Sequence, residues 1–81
     1  MMARVQLFAR ARDLAGADVL EIELADHSTV GELRLRIGSE FPRLRDILPR
    51  SALAVNEEYA DDSVVIPDGA DVALLPPVSG G

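Results

Sequence analysis

The hydrophobic period of this chain changes near residue 29, and that change limits its fold more than any other feature. Before it, two short segments alternate apolar and polar side chains; after it, apolar residues recur three and four apart. A period of two belongs to a half-buried strand and a period near 3.6 to a helix with one buried stripe, so the chain must mix both. In residues 4–9, Val5, Leu7 and Ala9 share one face, and Arg4, Gln6 and Phe8 the other. In residues 19–24, Leu20, Ile22 and Leu24 turn inward while Glu21 and Glu23 meet water. Residues 10–18, with Gly16 and Ala17, read as a long hairpin loop between these strands.

Thr29-Val30-Gly31-Glu32 has the form of a capping box, in which the threonine hydroxyl and the glutamate carboxylate satisfy backbone N–H groups that the first helical turn leaves open. A helix should start there and bury Val30, Leu33, Ile37 and Phe41 along one stripe. Gly38 inside it costs about 1 kcal/mol relative to alanine, and Pro42 disfavours helical geometry at Phe41, so the helix should end there. Leu44, Ile47 and Leu48, between Pro42 and Pro49, suit one further turn. Residues 51–56 read as a strand with Leu53 and Val55 inward, and residues 64–66 as a short edge strand ended by Pro67. Pro67-Asp68-Gly69 signals a turn, and residues 70–75 a last strand with Val72 and Leu74 inward.

Strand, strand, helix, strand, short strand, strand is an α+β order. It predicts a ubiquitin-like β-grasp: a mixed sheet of four to five strands packed on one main helix. A split βαβ fold would need a second helix of comparable length, and residues 44–48 offer one turn. Residues 1–76 are expected to form this domain and residues 77–81 a flexible, extended C-terminal tail.

Chains of 81 residues bury roughly 60% of their unfolded surface, enough for one core and no deep pocket. Without cysteine, the chain has no disulfide, thiolate metal site or cysteine nucleophile. The lone histidine, His27, precedes the helix cap and reads as a turn residue; with Asp26 it falls short of a metal site, so no metal is expected. Glu57-Glu58 and Asp61-Asp62 read as a solvated acidic loop. A net charge of −6 repels phosphate backbones, so nucleic acid is not an expected partner and a basic protein surface is favoured. No run approaches the about 20 apolar residues of a membrane span, and the first residues lack a secretory or transit pattern, so a cytoplasmic location is expected. All eight cations are arginine, which leaves the N-terminus as the only amine the molecule offers to an acylating group.

The remaining chemistry lies at Pro76-Pro77-Val78-Ser79-Gly80-Gly81. The two prolines lack N–H groups, so no sheet ladder can continue through them, and their fixed φ makes a stiff stem. Gly80 and Gly81 have no Cβ, so such a tail can thread a narrow channel and expose its carboxylate to a nucleotide or a nucleophile. A carboxylate is a poor electrophile and must first be activated, most simply as an acyl-adenylate. The chain has no phosphate-binding loop, so ATP would be used by a partner activating enzyme and no cofactor would be bound here. The competing reading is a binding module whose tail is incidental.

At these residues the sequence resembles the small, sulfur-carrying subunit of molybdopterin synthase, a ubiquitin-like family, across essentially the whole chain. The tail carries most of the resemblance. Phe8-Ala9-Arg10-Ala11-Arg12-Asp13-Leu14-Ala15-Gly16, Ala54-Val55-Asn56 and Asp68-Gly69-Ala70-Asp71-Val72 support it. The resemblance implies a non-catalytic carrier whose Gly81, presented by Gly80, is adenylated by an E1-like enzyme and thiocarboxylated by a sulfur donor acting through it. The thiocarboxylate would then enter a large catalytic subunit, within a heterotetramer, and give its sulfur to cyclic pyranopterin monophosphate. Leu75 stands where family members often have phenylalanine. Phe8, Leu75, Pro76, Pro77, Val78 and Ser79 are the expected partner contacts, with Phe8 and Leu75 forming an apolar patch on neighbouring strands, and Arg12 matches a basic residue of the family's first loop. Related carriers supply sulfur for thiamine or cysteine synthesis, and ubiquitin-like modifiers form amides from the same adenylate.

Overall fold

The computed structural model describes residues 1–77. In chain order the elements are β1 (Met2–Leu7), α1 (Ala9–Ala15), β2 (Val19–Glu23), α2 (Val30–Glu40), two 3₁₀ turns (Pro42–Leu44 and Leu48–Arg50), β3 (Ala52–Val55), β4 (Glu58–Ala60) and β5 (Asp71–Leu75). The strands form one sheet in the order β2-β1-β5-β3-β4. β1 and β5 run parallel at its centre and the other pairs are antiparallel, which gives the mixed sheet of a β-grasp.

The period of two works as expected where strands pair. Opposite Val5 stand Leu20 on β2 and Val72 on β5, and opposite Leu74 stand Leu7 and Leu53, so the inward rows of four strands line up. α2 covers that face. Its capping box is complete, with Thr29 Oγ1 accepting from the Glu32 N–H at 3.2 Å and Glu32 Oε1 accepting from the Thr29 N–H at 3.3 Å. Val30, Leu33 and Ile37 are fully buried, and the helix ends with Phe41 as its C-cap. Leu44, Ile47 and Leu48 join the same core from the 3₁₀ turns. Gly38 within α2 has a packing reason: a Cβ there would meet Leu48 Cδ1 at 3.3 Å.

Three expectations need correction. β1 stops at Leu7, and Ala9 is exposed with φ 50, so it does not continue the inward row. Residues 10–18 are not an open loop, because α1 occupies most of them and buries Ala11 completely. It closes at Gly16, whose φ of 70 is a left-handed conformation that glycine adopts without strain. Residues 64–66 are not the edge strand. Val65 makes an isolated bridge to Thr29, the Ile66 N–H donates to the Ser28 carbonyl at 2.9 Å, and the segment pairs with the approach to α2 instead of the sheet. The edge beside β3 belongs to β4, reached through a two-residue turn at Asn56 and Glu57 with φ of 50 and 69. Positive φ at both positions gives the turn twist that suits a hairpin.

Candidate functional site at the C-terminal end of strand β5

β5 is a central strand, and it carries the chain to one end of the sheet, where Pro76 and Pro77 follow without strand pairing. On β5 the inward residues Val72 and Leu74 are buried against α2, so Ala73 and Leu75 point to the uncovered face. Leu75 pairs with Ala52 and Ala73 with Ala54, while Ala54 also faces Tyr59 of β4. The small side chain of Ala52 beside Leu75 lines a depression bounded by larger side chains. Phe8 stands at its side as the N-cap of α1, 42% exposed, and Tyr59 opposite it is 79% exposed. The result is an open cleft of about 970 Å³, lined by Phe8, Ala52, Tyr59, Leu75, Pro76 and Pro77, with Arg10, Asp13 and Arg50 adding charge.

Phe8, Leu75, Pro76 and Pro77, four of the residues singled out from sequence, therefore meet in one cleft. Phe8 reaches it from the N-terminus of α1 instead of from a strand. Arg12 does not line the cleft; it lies on α1 with its Nε 3.7 Å from Asp18. Val78, Ser79, Gly80 and Gly81 lie outside the described residues. Tyr59, Arg10 and Arg50 were missed by sequence reasoning. Tyr59 depended on recognising β4, and Asn56 was the available signal, since asparagine favours the first position of such a turn. Arg10 and Arg50 belong to helical turns that composition hinted at only weakly. Asn56 also fixes the hairpin to β5, since its Oδ1 accepts from the Asp71 N–H at 3.0 Å and its own N–H donates to the Asp71 carbonyl at 2.8 Å.

Among the described residues, no group of three or more histidine, cysteine, aspartate or glutamate side chains is arranged to hold a metal ion. No helix among them is long and apolar enough to cross a membrane. Asp61 is held below the usual carboxylate range by hydrogen bonds from the Ser63 hydroxyl and then the Ser63 N–H. It belongs to the turn before residue 64, not to the cleft. Among the described residues, nothing in the cleft forms a nucleophile and base pair.

Residues 5–81 match the ThiS family, a match that takes in both the cleft and the tail. The molybdopterin synthase sulfur carrier subunit of Arabidopsis thaliana is 37% identical over 78 residues, covering 96% of this chain and 81% of that one. The chain belongs to the ThiS family, among the molybdopterin synthase sulfur carrier subunits. Its fold is that of solved ubiquitin-like proteins. Small archaeal modifier protein 1 of Haloferax volcanii superposes with a TM-score of 0.86 at 26% identity, over the full length of both chains. A chain of the protein–protein complex of subunits 1 and 2 of the molybdopterin-converting factor from Helicobacter pylori superposes with a TM-score of 0.70 at 30% identity, again over both full lengths. The cleft lies directly before the last residues of the family match, which ends at Gly81.

Proposed function

We propose that this protein is the sulfur carrier subunit of a molybdopterin synthase and that its reactive group is the Gly81 carboxylate. The observation that carries the reading is the continuity of β5, Pro76-Pro77 and the apolar cleft: the strand that anchors the terminus in the core also contributes Leu75 to the surface a partner would cover. The Gly81 carboxylate attacks the α-phosphorus of ATP on an E1-like activating enzyme, releasing pyrophosphate. Sulfide from a donor displaces AMP and leaves a thiocarboxylate. Inside the large catalytic subunit the sulfur forms a carbon–sulfur bond to cyclic pyranopterin monophosphate, and water restores the Gly81 carboxylate.

The protein's own part is binding and presentation. Phe8, Tyr59 and Leu75 offer apolar area to the large subunit, and Arg10 and Arg50 favour carboxylates at the rim of that contact. Pro76 and Pro77 end the ladder, and Gly80 and Gly81 leave space for close approach at the carboxyl carbon. The assembly with a second subunit described for the Helicobacter pylori protein supports this partner. The likeness to an archaeal modifier supports a second reading, in which an amine of another protein intercepts the adenylate.

The test is single-turnover sulfur transfer from thiocarboxylated protein to cyclic pyranopterin monophosphate in the presence of the large subunit. Dithiolene formation with two thiocarboxylated full chains supplied per pterin, each giving one sulfur, and none with a variant lacking Gly81, supports the proposal. A thiocarboxylate that forms but is inert toward the pterin would move the protein to thiamine or cysteine synthesis, and amide-linked conjugates would make it a modifier.

A further inference from the structure

A second surface lies on the outer side of α2, away from the tail chemistry. Charge is segregated along the chain: residues 34–50 hold five of the eight arginines and two carboxylates, a net of +3, so the rest of the chain carries −9 of the total −6. This basic stretch forms α2 and the two 3₁₀ turns. Between them is an open groove of about 350 Å³, lined by Arg34, Leu35, Gly38, Arg45, Leu48 and Pro49. Its floor is close-packed, since Gly38 and Leu48 are both buried. Its wall is not, because Leu35 is 76% exposed and sits on the solvent side of a helix whose inward stripe is already complete.

The two arginines are held in place. Arg34 donates to the Leu48 and Ser51 carbonyls and pairs with Asp62 at 3.1 Å, which uses most of its N–H groups. Arg45 uses only Nε, which donates to the Gly38 carbonyl at 2.8 Å. Four of its five N–H groups are therefore not hydrogen-bonded among the described residues. A guanidinium fixed through Nε presents its two terminal nitrogens as a fork, the geometry that binds a carboxylate through two parallel hydrogen bonds.

We infer that this groove is a docking site for an acidic protein segment that places an aliphatic side chain against Leu35 and Leu48 and a carboxylate on Arg45. Charge complementarity selects this occupant. Of the two cations that line the groove, Arg34 is already paired with Asp62, whereas Arg45 has no carboxylate within ion-pair distance among the described residues, so an incoming carboxylate is attracted to Arg45 beside the apolar wall of Leu35. The tail cleft and the groove meet at the second 3₁₀ turn, where Arg50 faces the cleft and Leu48 and Pro49 face the groove, so both surfaces can be occupied together.

The test is an NMR titration of the full-length, isotope-labelled protein with a capped synthetic peptide of glutamates around one central leucine. The expected result is saturable amide shifts in residues 34–39 and 45–49. Arg45→Gln and Leu35→Ser should each weaken binding about tenfold, as loss of a charge-assisted bidentate contact or of an apolar anchor does. Both side chains are exposed, and unchanged resonances elsewhere in each variant's spectrum verify its fold. Replacing the peptide's glutamates by glutamines should weaken binding similarly. Absence of shifts, shifts confined to the cleft around Phe8 and Leu75, or equal binding by the glutamine peptide or by Arg45→Gln would overturn the inference.

Discussion

The face of the sheet under α2 and the end of the sheet at Leu75 are built from the same strands, yet they handle apolar surface in opposite ways. Under α2, Val5, Ile22, Val30, Leu33, Ile37, Leu53, Val72 and Leu74 are nearly or fully buried. Around the cleft, Phe8, Tyr59, Leu75, Pro76 and Pro77 all remain accessible to solvent. Burying a leucine-sized side chain contributes roughly 1.5–3 kcal/mol, so the first region holds most of the folding energy. The second leaves apolar area unburied, and its burial contributes only when a partner covers it. Buried and accessible apolar side chains thus alternate along β5, and under the proposed function the first serve stability and the second recognition.

That separation can be tested by substitution, beginning with the core. Leu33→Ala should destabilise the fold by about 2–5 kcal/mol in urea denaturation, because a fully buried side chain leaves a cavity. Phe8→Ser should instead lower affinity for the large subunit about tenfold in calorimetry, the effect of losing a moderate interface anchor, with the urea midpoint little changed. If Phe8→Ser unfolded the protein as Leu33→Ala does, the two regions would be one.

Smaller effects should lie outside both regions. Thr29→Ala removes the acceptor for the Glu32 N–H and should cost about 1 kcal/mol of stability without altering partner binding. Ser63→Ala should have the least effect. Because Asp61 has a depressed pKa in the folded state, its contribution is present above the ordinary carboxylate pKa and lost as pH falls through the folded value. Removing the Ser63 hydroxyl should raise the Asp61 pKa in an NMR titration, so the small loss of stability relative to the unmodified chain is present at neutral pH and disappears as pH falls through the folded value.

The sequence shows the covered face of the sheet more plainly than the cleft, for a physical reason. Burial of one face forces regular periods, so Leu20, Ile22, Val30, Leu33 and Ile37 could be placed from spacing, and the capping box announced where α2 starts. The cleft needed Leu75 and Phe8, whose exposure could be inferred only as the complement of those periods. Tyr59 stayed hidden because β4 is three residues long and its turn has Glu57 where glycine is usual. α1 stayed hidden because seven residues give barely two turns of periodicity, although Arg-Asp-Leu-Ala before Gly16 favours a helix and its left-handed ending. Residues 64–66 misled because three apolar residues before a proline fit a bridge as well as they fit a strand.

The most direct test of the account is the intact mass of the protein after incubation with ATP, an adenylating enzyme and a sulfide donor, alongside a variant lacking Gly81. The account predicts a gain equal to one sulfur less one oxygen, located at Gly81 by fragmentation and absent from the variant. An unchanged mass, with an enzyme shown to activate another carrier in the same mixture, would contradict it.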